Sequence, residues 1–305
     1  MNIANKNEYR CGYVSIIGRP NVGKSTLINR ILGTHLSITS KKPQTTQHRI
    51  QGIKTTDTYQ AIYIDTPGLH HDLKSAVHKY MNREASTAID DVDVVILMLE
   101  ALKLTDEDQR ILKILKNSSA PIILVINKVD LIKNKERLLP YLQSTNELFN
   151  FKAVIPLSSK KGSNIEQLEK VIIEQLPVSA PYFSEDQLTD KNDRFLASEL
   201  IREQLMRLLG NELPYAVAVE VEAFEENKKI IKVSALIWVE RDNQKSIVIG
   251  QNGEQLKQIG INARQAMQRM FMKKVLLKLW IKVKTGWSND ERALKSLGYV
   301  DDDWY

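Results

Sequence analysis

The sequence predicts an α/β domain with a mostly parallel sheet and helices on both faces, followed by a smaller α+β domain. Short apolar runs rich in β-branched residues alternate with helical patterns over residues 12–176, as in sheets of buried parallel strands. Prolines among small residues at 177–182 end this alternation and are typical of a linker. Residues 194–284 then follow the order helix, strand, strand, helix, strand. We therefore expect two domains, each with its own core.

The first apolar strand, residues 13–17, leads into the sequence Gly-x-x-x-x-Gly-Lys-Ser and then into a helical pattern. The glycines allow successive backbone N–H groups to point at phosphate oxygens, and the helix N-terminus favours an anion. This context predicts a nucleoside triphosphate site in which Lys24 reaches the β- and γ-phosphates and Ser25 ligates Mg²⁺. The predicted site residues of this segment are Gly18, Arg19, Pro20, Asn21, Val22, Gly23, Lys24, Ser25 and Thr26.

The base is predicted to be guanine, because Asn-Lys-Val-Asp follows a later apolar strand. Asp130 can accept hydrogen bonds from N1–H and the 2-amino group of guanine, and adenine lacks both donors. Asn127 is expected to tie this loop to the phosphate loop, while the stem of Lys128 covers one face of the base. A backbone N–H, that of Ser159, is predicted to donate to O6, although Ser-Ser-Lys before a glycine also suits a plain turn. The predicted base-binding residues are Asn127, Lys128, Asp130, Ser158, Ser159 and Lys160.

Two further segments are predicted to respond to the γ-phosphate. Asp65 ends an apolar strand and is expected to hold a Mg²⁺-bound water, and the N–H of Gly68 is expected to touch the γ-phosphate. Within residues 33–48, the hydroxyl of Thr46, or that of Thr45, completes the Mg²⁺ shell when the γ-phosphate is present. The second segment comprises Asp65, Thr66, Pro67, Gly68 and Leu69, and the predicted metal ligands are Ser25, Thr46 and Asp65.

These four elements, in this order, resemble the translation-factor-like branch of the small GTPases. Ras-type enzymes place a glutamine that orients the attacking water at the position of Leu69. Leucine there resembles the hydrophobic-substituted GTPases, and this implies that Asn21 helps to bind an activating K⁺; alternatively, Asn21 only caps the loop. We expect slow hydrolysis that is faster in K⁺ than in Na⁺. The predicted catalytic residues are Lys24, Asn21, Thr46 and Gly68.

Composition narrows the class of protein. The chain has 305 residues and one cysteine, which excludes a disulfide framework within one chain. No apolar run approaches the ~20 residues that span a bilayer, and the polar first ten residues predict no signal peptide, so we expect a cytoplasmic protein. The net charge of +6 arises in residues 1–180, and charge therefore has to be examined locally. The expected limits are 1–177 for the first domain, 178–192 for the linker and 193–305 for the second domain.

The second domain carries a Val-Ile-Gly-x-x-Gly segment before a helix with apolar residues at helical spacing. Glycines at both positions let the backbone approach a nucleic-acid chain, although the motif alone also suits a flexible turn. Residues 274–284 alternate between an apolar face and a face of lysines with one tryptophan, which favours a single-stranded polyanion. A solvated basic strand and weak attraction to an anionic membrane are the alternatives. The predicted RNA-binding residues are Ile249, Gly250, Gln251, Asn252, Gly253, Lys257, Arg264, Lys278, Trp280 and Lys282.

The order of elements around this segment resembles a type II KH domain, and the whole chain resembles the Era family of bacterial GTPases. The resemblance implies a P-loop GTPase domain followed by a KH RNA-binding domain. It implies GTP and GDP, the 3′ end of 16S ribosomal RNA and the 30S subunit as partners, with no DNA, and Mg²⁺ and K⁺ as cofactors. It also implies a role in 30S assembly and rRNA maturation, a link to growth or the cell cycle, and peripheral association with the cell membrane.

Two other classes of protein fit the sequence less well. A tRNA-modification or metal-transport GTPase would need a reactive cysteine site or spanning helices in the rest of the chain, and the sequence has neither. An RNA-binding module with a degenerate nucleotide site would lack Lys24, Ser25 or Asp130, and all three are present. A GTP-regulated protein that acts on another RNA remains the alternative.

Overall fold

The computed structural model describes residues 8–40, 42, 45–67, 76–87, 91–210, 217–297 and 299. They form two compact units, each with its own sheet. The first unit takes most of the chain up to Asp190. The second begins at Lys191 and also includes the described residues within 38–45 and 76–81. In the described part of the chain, no helix is both long and apolar enough to cross a bilayer.

The first unit is built on a six-stranded sheet. Its strands are β1 (Arg10–Ile17), β2 (Ile50–Thr55), β3 (Tyr59–Asp65), β4 (Val94–Glu100), β5 (Ile122–Asn127) and β6 (Ala153–Pro156). The helices of this part of the chain are α1 (Lys24–Leu32), α2 (Ala76–Thr87), α3 (Asp106–Leu115), α4 (Leu138–Asn146) and α5 (Ile165–Gln175). The strand order is β2-β3-β1-β4-β5-β6, in which β2 is antiparallel to β3 and the other pairs are parallel.

Helices cover both faces of this sheet, as predicted. Alternate residues of β4 enter two different cores: Val94, Ile96 and Met98 pack with residues of α1 and α5, while the intervening residues pack with α3. A strand buried on both faces has no polar side to its alternation, which explains the continuous apolar runs in the sequence. Because β1, β3, β4 and β5 are parallel, their carboxyl ends meet along one edge of the sheet, where α/β proteins bind their ligands.

The predicted linker lies against the first sheet for most of its length. Val178 pairs with Arg10 at the start of β1, and Leu188 accepts a hydrogen bond from the N–H of Ile53 on β2. The buried side chain of Gln60 accepts from the N–H groups of Tyr182 and Phe183 at 2.8 and 3.0 Å. These bonds satisfy backbone donors that a free linker would leave to water. The two units divide between residues 190 and 191. The domain limits proposed from the sequence stay a prediction.

The second unit is built on a three-stranded sheet with helices on both faces. Its elements are α6 (Asp193–Leu208), β7 (Val217–Glu226), β8 (Ile230–Val239), α7 (Asp242–Ile249), α8 (Glu254–Phe271), β9 (Lys274–Val283) and α9 (Glu291–Ser296). The strand order is β7-β8-β9, with β7 antiparallel and β9 parallel to β8. Apolar residues of α6 and α8 form the core with the odd-numbered residues of β8. In the strand order of the described residues, β9 pairs with β8 alone and is an edge strand of this sheet.

The sequence did not reveal α7. Its residues include Ile247-Val248-Ile249, a β-branched run that lowers helix propensity. In the structure the side chain of Gln244 accepts hydrogen bonds from the N–H groups of Glu240 and Arg241 at 2.8 and 3.1 Å, which holds the start of the helix. Val248 is fully buried in the core of the second unit. Tertiary packing therefore overrides the local preference here.

Candidate functional site

The phosphate loop connects β1 to α1, as the sequence predicts. Gly23 has φ 109°, a left-handed conformation that favours glycine, and it directly precedes α1. A Cβ at this position would lie 2.3 Å from Nδ2 of Asn127, so the loop also needs glycine for its contact with the end of β5. Asn21 lies on the exposed part of the loop with φ 63°. The backbone is thus curled at the N-terminus of a helix, where anions are favoured.

Lys24 is buried at the first position of α1. Its Nζ donates to the carbonyl oxygens of Gly18 and Arg19 at 2.9 and 3.3 Å, so the side chain folds back over the phosphate loop. Burial lowers the pKa of Lys24 to about 8, the carboxylate of Asp65 opposes that change, and Arg19 adds to it. A phosphate group beside the ammonium group would stabilise its charged form. The position fits the predicted role in binding phosphate.

The three predicted metal ligands come together beside this lysine. The Oγ of Ser25 and the Oγ1 of Thr46 lie 3.0 Å apart, and the Oγ1 of Thr46 donates to Asp65 at 3.3 Å. Burial raises the pKa of Asp65, while the charge of Lys24 and hydrogen bonds that include the one from Thr46 oppose the rise. Two hydroxyls and a buried carboxylate form the set of hard oxygen ligands that Mg²⁺ prefers, so the residues present fit the ion.

The structure separates the two candidate threonines. The Oγ1 of Thr46 faces Ser25 and Asp65, whereas the Oγ1 of Thr45 donates to the carbonyl oxygen of Lys42 at 2.8 Å and lies 2.7 Å from the Oγ of Ser40. The two neighbouring hydroxyls have different partners, and of the two only that of Thr46 contacts the other predicted metal ligands. Thr46 is therefore the candidate that the geometry favours.

The base-reading residues lie at the carboxyl ends of β5 and β6. The Nδ2 of Asn127 donates to the carbonyl oxygen of Val22 at 2.7 Å, which is the predicted tie to the phosphate loop. The hydroxyl of Ser158 donates to the exposed carboxylate of Asp130 at 2.5 Å and so fixes its orientation. Asp130 is thus held by a neighbour while its carboxylate remains accessible to a base.

One predicted donor is used differently. The N–H of Ser159 donates to the Oδ1 of Asn127 at 3.0 Å, and its hydroxyl makes a second bond to the same atom at 3.1 Å. The sequence assigned this N–H to guanine O6. In the structure it helps to fix the Asn127 side chain, and Arg30 holds the same turn through the carbonyl oxygens of Ser159 and Lys160 at 3.2 and 2.6 Å. The contact with O6 stays a prediction.

An ion-pair network links the phosphate loop to the base-reading loop, and sequence patterns did not reveal it. Arg19 pairs with Asp108 at 3.3 Å and with Glu100 at 3.1 Å, and Lys128 pairs with the same Glu100 oxygen at 3.0 Å. Partial burial acts to raise the pKa of Glu100, but Lys128 and Arg19 outweigh it and hold that pKa below its usual value. The side chain of Arg19 therefore supports the loop, while Lys128 keeps its ammonium group at the edge of the site. In the sequence, the available sign of this network was Glu100, the acidic residue that ends β4.

Some predicted nucleotide-site residues fall outside the described part of the chain. Gly68 and Leu69 are among them, so the γ-phosphate contact and the replacement of the water-orienting glutamine stay predictions. Just before them, Thr66 is buried and its hydroxyl donates to the carbonyl oxygen of Ile16 at 3.0 Å. This bond anchors the end of β3 beside β1. Thr66 therefore lies next to the start of the phosphate loop.

The Gly-x-x-Gly segment lies between α7 and α8 in the second unit. Gly253 has φ 79°, and among the described residues no atom outside the local backbone lies within 4 Å of the place where a Cβ would stand. Open space on this side allows another chain to come close to the backbone. A groove of about 410 Å³ begins here. Its lining residues are Gly253, Leu256, Lys257, Gly260, Ile261, Arg264, Leu277 and Leu279.

The groove contains only part of the predicted RNA-binding set. Lys257 and Arg264 line it together with Gly253, as expected, and the exposed residues Gln251 and Asn252 lie in the adjoining turn. Lys278, Trp280 and Lys282 do not line it, because the groove takes the odd-numbered residues of β9. Side chains of a strand alternate between its two faces, so the predicted set is divided between opposite faces of the sheet.

Comparison with known proteins identifies close relatives of the whole chain. The family described as "50S ribosome-binding GTPase" matches residues 13–128, and the KH domain family matches residues 212–288. The chain is 54% identical over 293 residues to GTPase Era of Glaesserella parasuis, covering 96% of this chain and 98% of that protein. It is 53% identical over 292 residues to GTPase Era of Pseudomonas aeruginosa, covering 96% of each.

Two solved structures share both units. Era in complex with MgGDPNP and nucleotides 1506–1542 of 16S ribosomal RNA superposes with a TM-score of 0.90 at 34% identity. A variant of Aquifex aeolicus Era bound to GDP·AlF₄⁻ gives a TM-score of 0.90 at 35% identity. Each comparison covers 96% of this chain and 100% of the other. The agreement confirms the expected fold class, a P-loop GTPase domain followed by a KH domain.

Proposed function

The chain belongs to the Era family of GTPases, and on that premise we propose that it couples GTP hydrolysis to binding of the 3′ end of 16S ribosomal RNA during 30S assembly and rRNA maturation. One observation carries the proposal: the candidate phosphate, metal and base-binding residues of a guanine-nucleotide site and a basic Gly-x-x-Gly groove occur in the same chain. The related Era structure contains MgGDPNP and a fragment of this RNA. Mg²⁺ is accordingly proposed as the cofactor.

The residues of the nucleotide site have separable tasks in this proposal. Lys24 and the N–H groups of the phosphate loop bind the phosphates, and Asp130 selects guanine. Ser25, Thr46 and Asp65 would hold Mg²⁺, which neutralises charge on the transferring phosphoryl group. Binding of the ion would draw the hydroxyl of Thr46 away from its present bond to Asp65 and toward a metal-bound position. The position of residue 46 therefore depends on the nucleotide.

Chain connectivity gives this change a route to the KH unit. Thr46 belongs to the first unit, while the described residues from Ile38 to Thr45 belong to the second. There the N–H of Thr39 donates to Glu203 at 2.9 Å, and Arg202 donates to the carbonyl oxygen of Thr45 at 2.6 Å. The loop that ends at Thr46 is thus bound along α6, and we propose that this helix responds to the γ-phosphate.

We expect hydrolysis to be about tenfold faster in K⁺ than in Na⁺, a difference of roughly 1.4 kcal/mol in the barrier. Asn21 lies exposed on the phosphate loop, where a bound K⁺ would supply positive charge beside the phosphates. Asn21→Ala should abolish the difference, and single-turnover rates in the two salts measure it. Asn117→Ala, a change of an exposed asparagine after α3, is the matched control. An Asn21→Ala protein with a full K⁺ response would show that Asn21 only caps the loop.

We expect RNA binding to depend on the groove and on the nucleotide. The measurement is a titration of nucleotides 1506–1542 of 16S ribosomal RNA with protein held in GDPNP or in GDP. Gly253→Asp places a carboxylate where the RNA backbone would approach, and it should weaken binding by about 100-fold or more, since a desolvated like charge costs several kcal/mol. Equal, weak and strongly salt-dependent binding by both proteins in both nucleotides would contradict the proposal.

We also propose that the protein works in the cytoplasm, where GTP and ribosomal RNA are found. Peripheral association with the inner face of the cell membrane is a further proposal, which rests on the family resemblance and on the basic surface of the second unit. Its measurement is co-sedimentation with vesicles that contain phosphatidylglycerol. Absence of sedimentation at low salt would remove the membrane from the list of partners.

A further inference from the structure

The side of β9 that faces away from the groove forms a surface of its own. Leu277 and Leu279 line the groove on the side of the sheet that faces α8. The even-numbered residues of β9 are exposed on the opposite side, with Leu276 44% and Trp280 47% exposed. We name this surface the open face. It consists of Lys274, Leu276, Lys278, Trp280 and Lys282.

The charge of the open face is positive and largely uncompensated. Next to β9, Lys232 and Ser234 of β8 stand in register with Leu276 and Lys278. Lys232 pairs with Glu225 at 3.8 Å, with both side chains more than half exposed. For Lys274, Lys278 and Lys282, the residues that the structure describes supply no ion pair. These three lysines are four residues apart, which places them about 13 Å from one another along the strand.

On the same face of the sheet, parts of β7 and β8 are covered by other residues of this chain, and this cover marks the limit of the open face. Trp238 and Ala218 are buried against Trp287 and the described start of α2. The ammonium group of Lys284 lies 4.2 Å from the ring centroid of Trp238. In the described part of the chain, Trp280 belongs to no such buried cluster, and it is half exposed. Lysines alone would suit a solvated edge strand that avoids pairing with other sheets, but such a strand does not need a half-exposed indole between them.

We propose that the open face is a second RNA-contacting surface, which binds a segment of the same RNA after it leaves the groove. This inference rests on the proposed function. Because β9 is an edge strand, a chain in the groove can pass around it without crossing another strand. Trp280 would stack one unpaired base, and the flanking lysines would contact phosphates on either side. Stacking on an aromatic ring accepts any base, so this surface adds affinity without reading sequence.

The chemistry of the face favours RNA over an anionic membrane. Membrane-adsorbing segments are amphipathic helices that bury a broad apolar side among the lipids. Here the apolar groups are Leu276 and Trp280, separated by Lys278 on a flat strand. A single-stranded nucleic acid matches this alternation, because its bases can contact the apolar side chains while its phosphates contact the lysines. The test therefore has to distinguish binding of RNA from binding of a membrane at the open face.

The experiment compares a long and a short RNA on the full-length protein. The long RNA is nucleotides 1506–1542 of 16S ribosomal RNA. The short RNA is the smallest fragment of it, trimmed stepwise from both ends, whose binding Gly253→Asp still abolishes. Trp280→Ala should weaken binding of the long RNA by about tenfold, within the range measured for base stacking, and leave the short RNA unchanged. Trp280→Phe keeps an aromatic face and should restore most of that loss.

The lysines are tested through the salt dependence of binding. The double variant Lys278→Gln/Lys282→Gln should reduce the slope of log affinity against log salt concentration by about 1.4 for the long RNA, since each phosphate contact contributes ~0.7 on a single strand. The control Lys228→Gln/Lys229→Gln removes the same charge from the β7–β8 turn and should leave both slopes unchanged. Circular dichroism and the GTP hydrolysis rate check that each variant is folded.

Each other outcome overturns a stated proposal. Equal losses on the long and the short RNA, or no loss on either, would overturn the open face as a second surface. Loss of binding to phosphatidylglycerol vesicles with unchanged RNA binding would assign the face to a membrane instead. If no fragment of the RNA, long or short, loses affinity in Gly253→Asp, the proposed function of the groove fails, and this result is distinct from a failure at Trp280.

Discussion

Replacing Asp130 by asparagine should shift the nucleotide preference from GTP to XTP. The carboxylate is proposed to accept from two guanine donors, and a hydrogen bond to a charged group contributes about 1.5–3 kcal/mol, so GTP affinity should fall roughly 10²- to 10⁴-fold. The amide of the Asp130→Asn variant can donate to the additional oxygen at C2 of xanthine, which restores a complementary pair. Equilibrium competition of GTP and XTP against a fluorescent nucleotide measures both changes.

The matched control for this exchange is Glu136→Gln. Glu136 is an exposed acid in the turn after the base-reading loop, so its replacement removes the same charge without touching the base site. Its affinities for GTP and XTP should stay within a factor of about two, as expected for an exposed charge in water. Ser158→Ala frees the carboxylate of Asp130 from its 2.5 Å hydrogen bond and should cost about tenfold in GTP affinity. If Asp130→Asn still preferred GTP, Asp130 would not read the base.

Replacing Arg19 by methionine should destabilise the first unit by about 3 kcal/mol, the lower end of the range for breaking a buried ion pair. The carboxylate of Asp108 is fully buried and would lose its cationic partner. Two hydrogen bonds of 2.9 Å from Thr105 to the same carboxylate oxygen remain, and they limit the loss. In the Arg19→Met background, Asp108→Asn removes the unpaired charge, keeps an acceptor for Thr105 and should recover part of the stability.

The measurement has to report on the first unit alone. All four tryptophans lie at or after Trp238, so their fluorescence follows the second unit and serves as an internal reference. Hydrogen exchange of peptides from β1 and β4 follows the first unit, and a loss of about 3 kcal/mol accelerates exchange through global opening roughly 150-fold. Lys232→Met breaks the exposed pair with Glu225 in the second unit and should change the stability of that unit, followed by tryptophan fluorescence, by less than about 1 kcal/mol. Equal effects of Arg19→Met and Lys232→Met would show that burial adds nothing to the pair at Arg19.

The nucleotide site was predictable because its parts are local. Each motif joins a buried strand to a loop, and parallel strands bring their carboxyl ends to one edge whatever the details of packing. Ser25 and Asp65 meet for this reason, although 40 residues separate them, and Thr46 reaches them from the segment before β2. The choice of Thr46 over Thr45 depended on which of two neighbouring hydroxyls contacts the other ligands. The sequence left that choice open, and the structure favours Thr46.

The support around the site was not predictable. Arg19 and Asp108 are 89 residues apart, and nothing in the local pattern of either one indicates the other. The same holds for the N–H of Ser159, which local reasoning gave to the base and tertiary packing gives to Asn127. Pairings of this kind depend on how helices and loops settle against the sheet. A single sequence carries no signal for them beyond charge and burial.

The sequence by itself determined that this chain binds a guanine nucleotide and carries a KH-type element, because both depend on short motifs beside strands and helices of clear periodicity. The tertiary structure decided which residues share a surface. In β9 the period of two correctly separated a basic face from an apolar face, but only the packing of α8 showed that the groove lies on the apolar side. Alternation distinguishes the two faces of a strand, and the contacts of the fold determine which of them borders the site.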